Sequence, residues 1–216
     1  MIPEYKILYE GGSGEIVEKK SRFIATLRPV EREEEAYAFI EEMKKKYWDA
    51  THNCSAFVIG ERGELCRCND DGEPSQTAGR PMLDVLLGEE VRNVCAVVTR
   101  YFGGTLLGTG GLVRAYSGAV KAGLEQCQVV TKRLAKELQV ATDYSGVGKI
   151  QYLAAQNGIT TLESQYGETV EFSFLVPVGE ADSFSAQLTE GTNGRCAIQV
   201  KRELYYGLLD KEIILF

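Results

Sequence analysis

The residues with the greatest capacity for chemistry lie between Arg100 and Arg114. The run reads Arg-Tyr-Phe-Gly-Gly-Thr-Leu-Leu-Gly-Thr-Gly-Gly-Leu-Val-Arg. A near-continuous apolar stretch precedes it and an amphipathic pattern follows it. Strand, glycine-rich loop and helix in that order present backbone N–H groups and a positive helix end to an anion. Gly103, Gly104, Thr105, Gly108, Thr109, Gly110 and Gly111 are the backbone candidates, and Arg100, Arg114 and Lys121 supply positive charge. Arg114 and Lys121 stand two helical turns apart and so share one face. The run is not a P-loop, because no Gly-Lys-Ser/Thr follows. Nor is it a dinucleotide fingerprint, because Val113 fills the third glycine position counted from Gly108. Glycines in such a loop also suit tight turns and close helix–strand packing, so both readings stay open.

A second segment, Asp70-Asp71-Gly72-Glu73-Pro74-Ser75-Gln76-Thr77-Ala78-Gly79-Arg80-Pro81, also leads into a helix start. Side by side, Arg80 and Arg114 would bracket one phosphate. Asp70, Asp71 and Glu73 are hard-cation ligand types, but their spacing fits no standard calcium loop. A turn built from its usual residues is the plainer reading. His52, the only histidine, stands two residues from Cys54, on the same face of a strand. They are weak candidates for a nucleophilic pair. With Cys66 and Cys68 they are weak candidates for a zinc site, which lacks the paired Cys-x-x-Cys spacing that would carry it. Packed thiols and a hydrogen-bonded histidine are the default, and no metal or cofactor is expected.

These residues need elements to position them. Strands are expected over Tyr5–Glu10, Glu15–Lys19 and Arg22–Leu27. A helix is expected over Glu31–Tyr47, where Ala36, Phe39, Ile40 and Met43 fall on one face, with glutamates at the start and lysines at the end. A hairpin (Thr51–Ile59 with Glu64–Cys68), a short helix (Pro81–Leu87), a buried strand (Val91–Tyr101) and a helix (Gly111–Gln126) follow. From Leu134 the order becomes βαββαβ and ends in a strand over Cys196–Tyr205, which suggests a ferredoxin-like split sandwich. The boundary is expected near residue 130, giving domains 1–130 and 131–216.

Composition narrows the function classes. The chain has 216 residues, 23 of them glycine, and a net charge of −7. That acidity argues against a general nucleic-acid coat but leaves a local basic site open. No apolar run approaches the ~20 residues of a membrane span, and the start, Met1-Ile2-Pro3-Glu4-Tyr5, shows no signal peptide. A cytoplasmic location with six reduced cysteines is expected, and no membrane partner.

Thr51-His52-Asn53-Cys54-Ser55-Ala56, Asp70-Asp71-Gly72-Glu73-Pro74, Thr77-Ala78-Gly79-Arg80-Pro81 and Arg100 through Ala122 closely resemble the YigZ/IMPACT family. The resemblance covers about 1–130. The second half is similar to the small ferredoxin-like domain that bacterial members append. Gln76 stands where many members have glycine. The resemblance implies an α+β chain of two α/β sandwich domains. The first would be like domain 2 of ribosomal protein S5 and the second ferredoxin-like, similar to the last domain of the translocation elongation factor. Eukaryotic IMPACT proteins regulate translation through an extra N-terminal domain that this chain lacks, so that mechanism does not carry over. The resemblance therefore implies a non-catalytic protein that binds RNA, the ribosome, a translation factor or another phosphate-bearing ligand in connection with translation regulation. The alternative is an enzyme acting on a phosphorylated small molecule or nucleotide through the glycine-rich loop.

Overall fold

A computed structural model describes residues 1–216. The chain divides into two compact units, residues 4–131 together with Ile2, and residues 132–216 together with Met1 and Pro3.

In the first unit the strands are β1 (Glu4–Glu10), β2 (Gly12–Glu18), β3 (Ser21–Pro29), β4 (His52–Ile59), β5 (Leu65–Asn69), β6 (Val91–Arg92) and β7 (Val94–Tyr101). The helices are α1 (Glu33–Lys46), α2 (Gly79–Gly88) and α3 (Thr109–Leu124). Five strands form an antiparallel sheet in the order β2-β3-β7-β4-β5. Side chains alternate across it. Cys54, Ala56 and Val58 of β4, with Val94, Ala96 and Val98 of β7, pack against α2 and α3. Phe57, Ile59, Cys95 and Val97 point the other way, onto Phe39, Ile40 and Met43 of α1. The central strands are thus buried on both faces, which is why their sequence is almost continuously apolar. In α1, Glu33, Glu34 and Glu35 occupy the first turn and Lys44, Lys45 and Lys46 the last, complementing the helix dipole.

The single strand expected over Val91–Tyr101 is two. Asn93 adopts φ 53° and its side-chain carbonyl accepts the Gly60 N–H at 3.0 Å. That kink lets Val91 and Arg92 pair in parallel with β1 before β7 joins the main sheet. Asparagine tolerates this left-handed conformation better than most residues.

The second unit contains β8 (Gln128–Thr142, which starts in the first unit), α4 (Val147–Gln156), β9 (Thr160–Tyr166), β10 (Val170–Pro177), α5 (Ala181–Gly191), β11 (Ala197–Leu209) and β12 (Glu212–Leu215). The strands lie in the order β9-β10-β8-β11-β12, all antiparallel. The first four give the split βαββαβ arrangement. Leu138, Val140, Phe172 and Phe174 pack beneath Ile150 and Leu153 of α4 and Phe184 and Leu188 of α5. The last strand runs beyond the expected Tyr205. Asp210 and Lys211, both at positive φ, turn the chain back into β12, as a two-residue hairpin loop requires.

Candidate functional site

Strand register brings the first motif residues together. His52 of β4 lies opposite Arg100 of β7, and Asn53 opposite Thr99, whose hydroxyl donates to the Asn53 side-chain carbonyl at 2.7 Å. After β5 the acidic segment folds back over the end of β4. Its three acids perform different tasks. Asp70 accepts the N–H groups of Gln76, Ala78 and Gly79, at 2.8, 3.1 and 2.8 Å, and so caps the start of α2. Asp71 accepts the Asn53 N–H at 2.7 Å and lies 3.3 Å from the Lys44 ammonium. Glu73 turns inward and is buried. Its Oε1 accepts from Arg100 Nη1 at 2.5 Å and from the Tyr116 hydroxyl at 2.8 Å, and its Oε2 lies 3.8 Å from His52 Nε2. Nowhere do three or more His, Cys, Asp or Glu side chains converge as a metal site.

Arg100 is 5 % exposed, yet only one edge of its guanidinium is engaged by protein. Its Nε is one of three buried side-chain polar atoms in the chain that lack a hydrogen-bond partner. Buried donors of this kind are rare and call for an explanation. The guanidinium carbon lies 5.4 Å from the Phe23 ring centroid and 5.6 Å from that of Phe102.

Arg100, Glu73 and His52 line one side of a cavity of about 450 Å³. Phe102, Leu106 and Leu107 supply an apolar wall, and Gly108 and Thr109 bring in the first turn of α3. Gly108 precedes that helix at φ 73°, and no side chain caps it. The uncapped N–H groups of a first turn carry partial positive charge outward along the axis. The cavity thus combines one buried cation, one open helix end and an apolar wall, which suits an anion attached to an apolar body.

The histidine is oriented by its backbone partner. Nδ1 lies 2.8 Å from the Asp71 carbonyl, which can only accept, so Nδ1 carries the proton and Nε2 is turned toward Glu73. Cys54 is fully buried. Its thiol is 3.0 Å from the Asp70 carbonyl and 3.3 Å from the Tyr116 oxygen. Burial pushes the thiol well above the ordinary range, and nearby carboxylates add to this. The Tyr116 hydroxyl is also pushed far up, chiefly by burial. A nucleophilic cysteine needs a thiolate, and this setting opposes one.

The structure gathers Arg100, Gly108 and Thr109 with His52 and Glu73, and places the other candidates apart. Arg80 pairs with Asp84 on the exposed side of α2, at 2.8 Å. Lys121 lines a separate cavity with Lys6, Glu89 and Glu125. Arg114 lies outside the Arg100 cavity, but its guanidinium folds back to the first turn of α3, 3.6 Å from where a Gly110 side chain would begin. Gly103 is a packing glycine: a Cβ there would overlap the Lys20 carbonyl, and its N–H donates to the Ser21 hydroxyl at 3.1 Å. Gly104, at φ 81°, and Thr105 sit in the exposed loop between β7 and α3. Gly111 packs against the Leu107 side chain. Tyr116, Phe102, Leu106 and Leu107 did not stand out as site residues in the sequence. An aromatic hydroxyl on the buried stripe of a helix was the one available signal for Tyr116.

Fold and site together define a two-unit α+β protein whose first unit carries a cavity lined by Arg100, Glu73 and His52. Residues 19–124 match the Impact N-terminal domain, and residues 140–195 match a domain of unknown function, DUF1949. The IMPACT family member YvyE of Bacillus subtilis is 47 % identical over 95 % of this chain and 94 % of its own length. YigZ of Escherichia coli is 39 % identical over 82 % of this chain and 87 % of its own. A crystal structure described only as a hypothetical protein is 34 % identical and superposes with a TM-score of 0.59, covering 94 % of this chain and 99 % of that one. The chain belongs to the IMPACT family.

Proposed function

We propose that this protein is a non-catalytic cytoplasmic binding protein acting in connection with translation regulation, and that its cavity beside α3 holds a phosphate-bearing ligand, RNA or the ribosome among them. The translation link rests on family membership. The ligand class rests on one observation, the buried Arg100 whose Nε has no protein partner at the uncapped end of α3. The acidity of the chain, −7 overall, fits a small contact rather than a long basic track. No helix is long and apolar enough to cross a membrane, and all six cysteines are free.

A salt titration of RNA and ribosome binding tests this reading. A footprint of one or two phosphates gives a shallow slope of log affinity against log salt, and Arg114→Ala, outside the cavity at the first turn of α3, lowers it by about 0.7 for a single strand. Absence of measurable binding to either at low salt overturns it. The second reading, an enzyme acting on a phosphorylated small molecule, draws on one feature: the oriented His52 Nε2 beside Glu73 at the cavity. A thermal-shift screen of phosphorylated metabolites followed by product analysis decides it, since tight ligands raise the melting temperature by mass action.

A further inference from the structure

We infer that the cavity takes a terminal phosphate, the phosphomonoester of a nucleoside, and not an internal phosphodiester of a passing strand. The inference rests on the reading of this cavity as an anion site and names what that anion is attached to.

Charge sets the number of phosphates. Arg100 is the only arginine or lysine among the cavity-lining residues, and its Nη1 is already held by Glu73. Its Nε, buried without a protein partner, and the open turn at Gly108–Thr109 are the donors that the protein leaves unused. One guanidinium edge and one helix end serve one phosphate group. A bound strand would bring neighbouring phosphates against walls that hold no further cation.

Shape sets the position of that phosphate. Arg100 and Glu73, both buried, form the floor, and Tyr116 holds the Glu73 carboxylate from behind it. An internal phosphodiester needs two exits for its chain, whereas a terminal phosphate needs one. A volume of about 450 Å³ lies within the range of small-ligand pockets. Phe102, 47 % exposed and with its ring centroid 5.6 Å from the Arg100 guanidinium carbon, offers a stacking surface close to the phosphate position. Leu106, 83 % exposed, extends that apolar surface at the mouth. Bases stack on aromatic rings without regard to sequence, so the arrangement suits any nucleoside monophosphate, free in solution or at the end of an RNA.

Titration calorimetry with adenosine, adenosine 5′-monophosphate, and one five-nucleotide RNA carrying either a 5′-phosphate or a 5′-hydroxyl tests the inference. At least one phosphorylated probe is expected to bind about tenfold or more tighter than its unphosphorylated twin. Preference for the free nucleotide or for the RNA end identifies the source, and either supports the inference. Leu106→Glu places a carboxylate at the mouth on a fully solvated side chain. It is expected to weaken the phosphorylated probe about tenfold with no change in melting temperature. The double variant Arg100→Met/Glu73→Gln, which removes the buried pair together, is expected to abolish the preference. Equal affinities for both members of each pair overturn the inference. If RNA then still binds with a slope that Arg114→Ala lowers, the broader reading stands and only the terminal phosphate falls. If no probe binds at low salt, both fall.

Discussion

Replacing Arg100 with methionine is the most informative single change in the first unit. It keeps most of the side-chain volume and removes the partner of a carboxylate that is itself 7 % exposed. Removing one member of a buried pair costs about 3–5 kcal/mol, because the remaining charge stays desolvated. Glu73 keeps its bond from Tyr116 at 2.8 Å, which offsets part of the loss. The cost therefore falls at the lower end, about 3 kcal/mol, or roughly 10 °C in melting temperature for a chain of this size. Adding Glu73→Gln removes the stranded charge while leaving an acceptor for Tyr116, and should restore about 2 kcal/mol of the loss. Urea denaturation followed by far-ultraviolet circular dichroism measures both. The single tryptophan, Trp48, is 82 % exposed and is a poor reporter of this core. Hydrogen exchange in β4 and β7 assigns the loss to the first unit. A single variant within 1 kcal/mol of the parent, or a double variant no more stable than the single, refutes the buried, coupled pair.

Three further outcomes are expected. Gly103→Ala should cost about 3 kcal/mol because its Cβ would overlap the Lys20 backbone. Gly104→Ala, at φ 81° with open space around it, should cost about 1 kcal/mol; denaturation midpoints compare them. Thiol labelling of the native protein should modify the exposed Cys68 quickly and leave Cys54 and Cys95 untouched until unfolding, since burial pushes the Cys95 thiol up to about 12. In the second unit, burial raises the Glu137 carboxyl, but bonds from Lys201, Arg202 and Ser173 outweigh it and hold it at about 2, below its usual 4.5. Its contribution is present above pH 4.5 and is lost as pH falls toward 2. Because Lys201 and Arg202 are 54 % and 57 % exposed, the loss is about 1–2 kcal/mol, and Glu137→Gln should remove that part of the acid dependence.

Elements governed by local pattern were legible in the sequence. The apolar stripe and charged ends of α1 and the alternation of Val170, Phe172, Phe174 and Val176 in β10 require nothing beyond their own segments. The site was legible only in part, because its logic is nonlocal. Both helix starts, at Gly79 and at Thr109, present a glycine approach and an arginine nearby, and the sequence treats them alike. Asp70 fills the α2 end with its own carboxylate, whereas nothing caps α3. Only the second end is left for an external anion. Gln76 adopts φ 63° and donates its N–H to Asp70. The chain passes through the left-handed region there to deliver three N–H groups to one carboxylate.

Stability does not explain the Arg100–Glu73 pair. A buried ion pair is rarely more stabilising than apolar residues of the same volume, since desolvation offsets the attraction. In this fold the apolar solution was available, because the surrounding residues Phe23, Leu112 and Tyr116 already form a continuous core with β4 and β7. The pair also leaves the Arg100 Nε unbonded, which adds cost. What the pair does accomplish is geometric. Glu73 is fixed by Tyr116 and fixes Nη1 in turn, so the guanidinium is held at the base of the cavity. A cation held in advance loses little freedom when it receives an anion. The unbonded Nε, a stability defect by itself, is the group that the proposed phosphate would satisfy.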